Sequence, residues 1–142
     1  MTQGMRLVPQ PTSPDEIAGI LGTVDRFMAD ARIEGLSADG RFAHAYGAVL
    51  GSATIIVRSE GLRVTGPEHH KKTLSAAGEI LGEAYRDRMR YFDRCRVKRN
   101  NVTYDTAGMI SETEVCELLD RAEEFCRDAW DWVRANHPEI VG

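Results

Sequence analysis

A chain of 142 residues makes one domain, large enough for a self-sufficient core and too short for two ordinary ones. An apolar fraction of 42% and a charged fraction of 28% are those of a soluble globular protein, and a net charge of −4 excludes bulk, sequence-independent coating of nucleic acid. No apolar run approaches the ~20 residues of a membrane span and no signal peptide leads the chain, so the expected compartment is the cytoplasm.

Residues 1–14 are polar and hold three of the five prolines, which reads as a flexible lead-in. Ser13-Pro14-Asp15-Glu16 is a helix start: an N-cap, Pro at the first helical position and acids in the first turn. Ile17, Ile20, Leu21, Val24, Phe27, Met28 and Ala31 follow at helical spacing, and Gly35 ends the segment. Ser37 caps a second helix running to Gly61, with Phe42, Tyr46, Val49, Leu50, Ala53, Ile56 and Val57 as a broad apolar stripe. Small residues, among them Gly47 and Gly51, surround that stripe and permit close helix–helix approach, so this helix is expected to be the most buried. The β-branched run Thr54-Ile55-Ile56-Val57 continues the 3.6-residue period and is assigned to the helix rather than to a strand.

Leu62 to Pro67 is a connector, and a third helix is expected from about Glu68 to Leu81, with a break near Gly82. Glu83 restarts the pattern with Tyr85, Met89, Phe92 and Cys95. After a loop over 106–110, Ser111-Glu112-Thr113-Glu114 forms a capping box. The last helix is expected to bury Val115, Leu118, Leu119, Ala122, Phe125, Cys126, Ala129, Trp132 and Val133, keeps an acidic outer face, and stops before Pro138. No segment reads as a convincing strand. The expected architecture is all-α: an antiparallel up-and-down bundle of about five helices over residues 15–136, with a tail over 137–142. Cys95, Cys116 and Cys126 are odd in number and lack CxxC spacing, which points to reduced thiols rather than to a disulfide framework.

The stretch from Arg86 to Asp105 carries seven of the eighteen Lys and Arg residues and ends in Arg99-Asn100-Asn101 followed by Thr103-Tyr104-Asp105. At ~100° per residue, Arg99 continues the inward line of Met89, Phe92 and Cys95, with Arg96 and Thr103 beside it. An inward guanidinium is matched either by a carboxylate, for which Glu34, Asp105 and Glu114 are candidates, or by an anionic ligand. Asn100 and Tyr104 share one side of the helix, whereas Arg99 and Tyr104 stand about 140° apart if the helix continues. Their convergence on one ligand requires a frayed helix or a second copy of the chain across a two-fold axis. Arg86, Arg90 and Arg94 are assigned to a solvated, salt-bridged face. His69-His70, next to Lys71-Lys72, lacks a third ligand at metal spacing. His70 reads first as a hydrogen-bonded structural histidine and second as an acid–base group brought in from elsewhere in the fold. His44 and His137 are isolated surface or packing residues.

The segment Arg99-Asn100-x3-Tyr104 in a late helix of a small all-α bundle resembles the motif of HEPN-domain proteins, whose ribonuclease members carry Arg, a polar residue, about three more residues and then His. Gly66-x2-His69-His70 upstream, and Lys98 and Asp105 flanking the motif, resemble a bacterial HEPN-like subgroup; the resemblance covers residues 15 to 135. It implies a cofactor-free and metal-independent site shared by two subunits, with Arg99 and Asn100 in the Arg and polar positions and Tyr104 where the catalytic His stands. A Tyr with a pKa near ~10 is a poor general base at pH 7 unless neighbouring cations lower it. Arg96, Lys98, Thr103, His69 and His70 are the accompanying ligand-binding candidates. The function implied is binding of RNA or another phosphate-bearing ligand by a homodimer, with toxin-type ribonuclease activity as the catalytic form. A catalytically inactive scaffold, paired with itself or with an antitoxin-like protein, is the alternative from a different class.

Overall fold

The computed structural model of the chain describes residues 6–104 and 110–141, and for residue 6 and residues 102–104 the backbone alone. Among them are five α-helices and one short ribbon: β1 (Arg6–Pro9), α1 (Pro14–Ala31), α2 (Ala38–Ser59), β2 (Leu62–Thr65), α3 (His69–Leu81), α4 (Arg86–Tyr104) and α5 (Glu112–Asn136). The all-α bundle expected from the apolar periods is the architecture observed. No helix of the described residues is long and apolar enough to cross a membrane.

The helix starts are built as their sequences dictate. Ser13 accepts a hydrogen bond from the Glu16 amide at 3.1 Å, Ser37 accepts from the Gly40 amide at 3.0 Å, and Ser111 and Glu114 form a reciprocal capping box. α2 is the centre of the bundle, packing against α1, α5, α3 and α4. Gly47 and Gly51 make its seam with α1. A Cβ on Gly47 would meet the Phe27 ring at 3.1 Å, and one on Gly51 would meet Val24 Cγ2 at 2.6 Å. Across the bundle, Phe92 of α4 and Phe125 of α5 stack at 5.1 Å between centroids, and both are fully buried.

The ribbon corrects the expectation of no strands. Leu7 pairs with Val64 and Val8 with Arg63 in an antiparallel register, so part of the stretch read as a lead-in and most of the connector over 62–67 are paired backbone. Four-residue strands are too short for alternation to be visible against two long helical periods. The docking is held by Arg58 at the end of α2. Its guanidinium donates to the carbonyls of Gln10 and Leu62 at 2.8 Å and of Pro11 at 3.0 Å, and it pairs with Glu16 at 2.7 Å. A buried guanidinium needs this many acceptors, and only the folded ribbon supplies them together.

α3 and α4 form a hairpin whose turn is Gly82, at φ 97°, followed by one 3-10 turn over Glu83–Tyr85. That left-handed backbone favours glycine and makes the break expected there. The three thiols are unpaired with one another: Cys95 is buried, Cys126 is half-buried and donates to the Ala48 carbonyl at 3.6 Å, and Cys116 is exposed. Burial pushes the Cys95 and Cys126 thiols up to about 11. His44 lies against Phe27 at 5.9 Å, a packing role, whereas His137 is not isolated: its ring meets the Glu60 carboxylate at 2.5 Å and Glu139 at 3.5 Å.

Candidate anion-binding site

The cationic helix α4 turns its apolar line inward, with Met89, Phe92 and Cys95 buried. One further turn along that line, the Arg99 guanidinium lies over the ring of Tyr46 at 5.7 Å. Tyr46 comes from α2 and is 1% exposed, so Arg99 rests on the core rather than in open solvent, as the helical geometry predicts. Arg96 flanks it, with only 18% of its side chain exposed and its Nε donating to Asp93 at 2.8 Å. Of the carboxylates proposed for Arg99, Glu114 is instead engaged by Lys98 and Ser111, Glu34 lies in an exposed turn after α1, and Asp105 is outside the described residues. Lys98 is thus part of the α4–α5 contact.

The opposite wall is the first turn of α3. Its N-cap position is Glu68, a non-glycine residue at φ 58° that makes no side-chain cap, and the turn it opens is His69-His70-Lys71-Lys72 with no acid. Cations gathered at the positive end of a helix dipole repel it, the reverse of the usual preference. The His70 ring packs against Tyr46 at 6.1 Å, bringing α3 and α4 together over one phenol. His70 is exposed on its outer side, and its ring, expected to be a hydrogen-bonded structural imidazole, makes no hydrogen bond among the described residues and packs on Tyr46 instead. The first helical turn starts at the surface, and its inner edge reaches Tyr46 rather than the deeper core. Burial of that inner edge lowers the His70 pKa below 6.5, and the positive charges of Arg99, His69 and Arg96 lower it further. The imidazole is therefore neutral at pH 7 and has a lone pair to offer.

In the sequence Tyr46 is one position of the α2 core stripe. Its phenol is pushed up to about 12, chiefly by burial, with Arg96 and Arg99 opposing the shift. It stays a protonated donor throughout the neutral range. Its hydroxyl has no hydrogen-bond partner among the described residues, a condition that costs roughly 1–3 kcal/mol in a buried position. A polar-tipped aromatic in an apolar stripe is the signal that was available for it.

The remaining sequence candidates divide. Asn100 is half-buried in the last part of α4, and His69 is exposed beside His70. Thr103 and Tyr104 close α4 as backbone, while their side chains lie outside the described ones, so the spacing of Arg99 to the Tyr104 phenol lies outside them too. Arg86, Arg90 and Arg94, placed on a solvated face, are all exposed, and Arg86 pairs with Glu83 at 2.7 Å. A groove of about 720 Å³ between α3 and α4 is lined by Lys71, Leu74, Gly78, Met89 and Asp93. Scanned against family models, curated proteins and solved structures, the chain matches none of them.

Two guanidiniums, a neutral imidazole and a buried phenol thus meet where α2, α3 and α4 converge. That set can hold an anion, and its imidazole can take up a proton.

Proposed function

We propose that this chain is a HEPN-like RNA-binding protein that holds a phosphodiester at the junction of α2, α3 and α4 and cleaves it without a metal. The observation that carries the reading is the approach of His70, neutral and next to Arg99, on the same phenol. It supplies within one chain the imidazole that the Arg99-Asn100-x3-Tyr104 motif lacks. In the proposed step His70 accepts the proton of a ribose 2′-hydroxyl, and the 2′-oxygen attacks the adjacent phosphorus. The bond to the 5′-oxygen breaks, and that oxygen takes a proton from solvent water as it leaves, giving a 2′,3′-cyclic phosphate; the His70 imidazolium then returns its proton to solvent. Arg99 and Arg96 offset the charge that grows on the non-bridging oxygens, the kind of pre-placed positive charge that favours such a transition state. Asn100 and Tyr104 contribute contacts from the end of α4, and a second copy of the chain facing that end completes the cleft as a homodimer.

The test is purified protein incubated with total RNA in the presence of a chelator, with Arg99→Ala alongside. Cleavage or binding is lost in Arg99→Ala by about 100-fold or more, while its helical content is unchanged. RNA affinity falls with rising salt, with a log–log slope of about −1.4 to −2 for two or three single-strand phosphate contacts. Full activity in Arg99→Ala overturns the reading. The scaffold reading has one observation in its favour: Arg96 is held by Asp93 and Lys98 by Glu114, so two cations of the motif region serve the fold. It predicts no salt-dependent RNA affinity.

A further inference from the structure

We infer that Tyr46 is a ligand-binding residue, whose hydroxyl donates to a non-bridging phosphate oxygen seated between Arg99 and His70. The inference rests on the phosphate reading above and adds a residue that neither the sequence motif nor the basic stretch points to. Tyr46 is the one member of the α2 apolar stripe with a polar tip, and a phenylalanine would fill the same space without leaving a donor unmatched. The ring is 1% exposed, and its hydroxyl has no hydrogen-bond partner among the described residues. Buried hydroxyls without partners are uncommon, and a donor next to two cations is a donor in the wrong company unless an anion is there to accept.

The surroundings fit that anion. Arg99 lies over the ring at 5.7 Å and the His70 ring stands at 6.1 Å, so the phenol is bordered by a cation from α4 and by an imidazole from the cation-rich first turn of α3. Ser59, at the far end of α2, also has a buried hydroxyl without a partner among the described residues, beside the Arg58 guanidinium that the carbonyls of Gln10, Pro11 and Leu62 and the Glu16 carboxylate already occupy. A phosphate oxygen suits the Tyr46 position because a phosphate offers several acceptors at once, for Arg99 on one side and for the phenol beneath. The phenol keeps its proton in the neutral range and so stays a donor to that oxygen. The same chemistry is presented by inorganic phosphate and by the backbone of a single-stranded RNA, and reaching the phenol requires Arg99 to turn off the ring toward the ligand.

The experiment compares wild type, Tyr46→Phe and Arg99→Ala by fluorescence polarisation of a labelled single-stranded RNA and by thermal shift with inorganic phosphate. Tyr46→Phe is expected to weaken binding about 10-fold, the loss of one hydrogen bond to a charged acceptor, while the ligand-free melting temperature stays the same or rises. A response to RNA alone assigns the phosphate to a polynucleotide backbone; a response to both ligands assigns the site to the phosphate group itself. Wild-type binding in Tyr46→Phe, with binding lost in Arg99→Ala, overturns the inference and leaves the phosphate reading standing. A lowered melting temperature in ligand-free Tyr46→Phe also overturns it, because the hydroxyl is then already satisfied within the fold. If wild type binds neither RNA nor phosphate, the phosphate reading falls and takes the role of Tyr46 with it.

Discussion

A histidine does different chemistry depending on what covers it, and His70 is covered on one side only. Burial against the fold and the positive charges of Arg99, His69 and Arg96 all favour its neutral form, so it is a competent base at a lower pH than an ordinary imidazole. The sign for activity follows. In the proposed cleavage the base must be deprotonated, so the rate is expected to rise as pH climbs through the lowered His70 pKa. If the proposed cleavage holds, a pH–rate profile of the wild type is expected to show that acid limb below pH 6.5, and His70→Gln to lose the limb along with about 100-fold or more of the rate. A profile flat across that range removes His70 from the mechanism. At this scale the sequence was half legible. The inward aim of Arg99 follows from its place on the line of Met89, Phe92 and Cys95, which the 3.6-residue period exposes. The meeting of His70 with Arg99 does not, because it depends on how α3 folds back along α4 through Gly82, a distance that no local pattern encodes.

Among the elements, α2 decides the packing, and its glycines decide how near α1 comes. Replacing Gly51 by Ala gains about 1 kcal/mol of helix propensity but forces a Cβ to within 2.6 Å of Val24 Cγ2. Val24 is β-branched and buried, so it cannot swing aside, and overpacking of this kind costs about 1–3 kcal/mol. The second effect wins: Gly51→Ala is expected to lower stability by up to about 2 kcal/mol in a urea titration, with an unchanged slope. Stabilisation instead would mean that α1 can move away freely. Helices α1, α2 and α5 were legible because each carries its own start signal, at Ser13, Ser37 and Ser111, and a long apolar stripe. The ribbon of Leu7 and Val8 with Arg63 and Val64 was not, since its strands are separated by two helices and are recognisable only as a pair. Arg58 was passed over for the same reason. A lone Arg at the end of a helix looks like a surface cation until the carbonyls of Gln10, Pro11 and Leu62 are placed around it.

For the molecule as a whole, charge is distributed so that acidification weakens the fold in two stages. The folded His70 titrates below 6.5, so the unfolded chain binds more protons just under that value; the associated stability is present above pH 6.5 and is lost as pH falls through the folded pKa. Glu16, held by the Thr12 hydroxyl and then by Arg58, and Glu114, held by Lys98 and the Ser111 amide, titrate below 4.5 and act with the same sign lower down. Melting temperature is therefore expected to decline from pH 7 to pH 5 and more steeply below pH 4.5, with the first decline removed in His70→Gln. A melting temperature that rises on acidification would contradict both assignments. The placement of sulfur has a separate, practical result. With two thiolates disfavoured by burial and only Cys116 open on α5, the folded chain offers a maleimide dye one site of attachment. That fluorophore would sit on the exposed side of the first part of α5 and would report the tumbling and self-association of the chain.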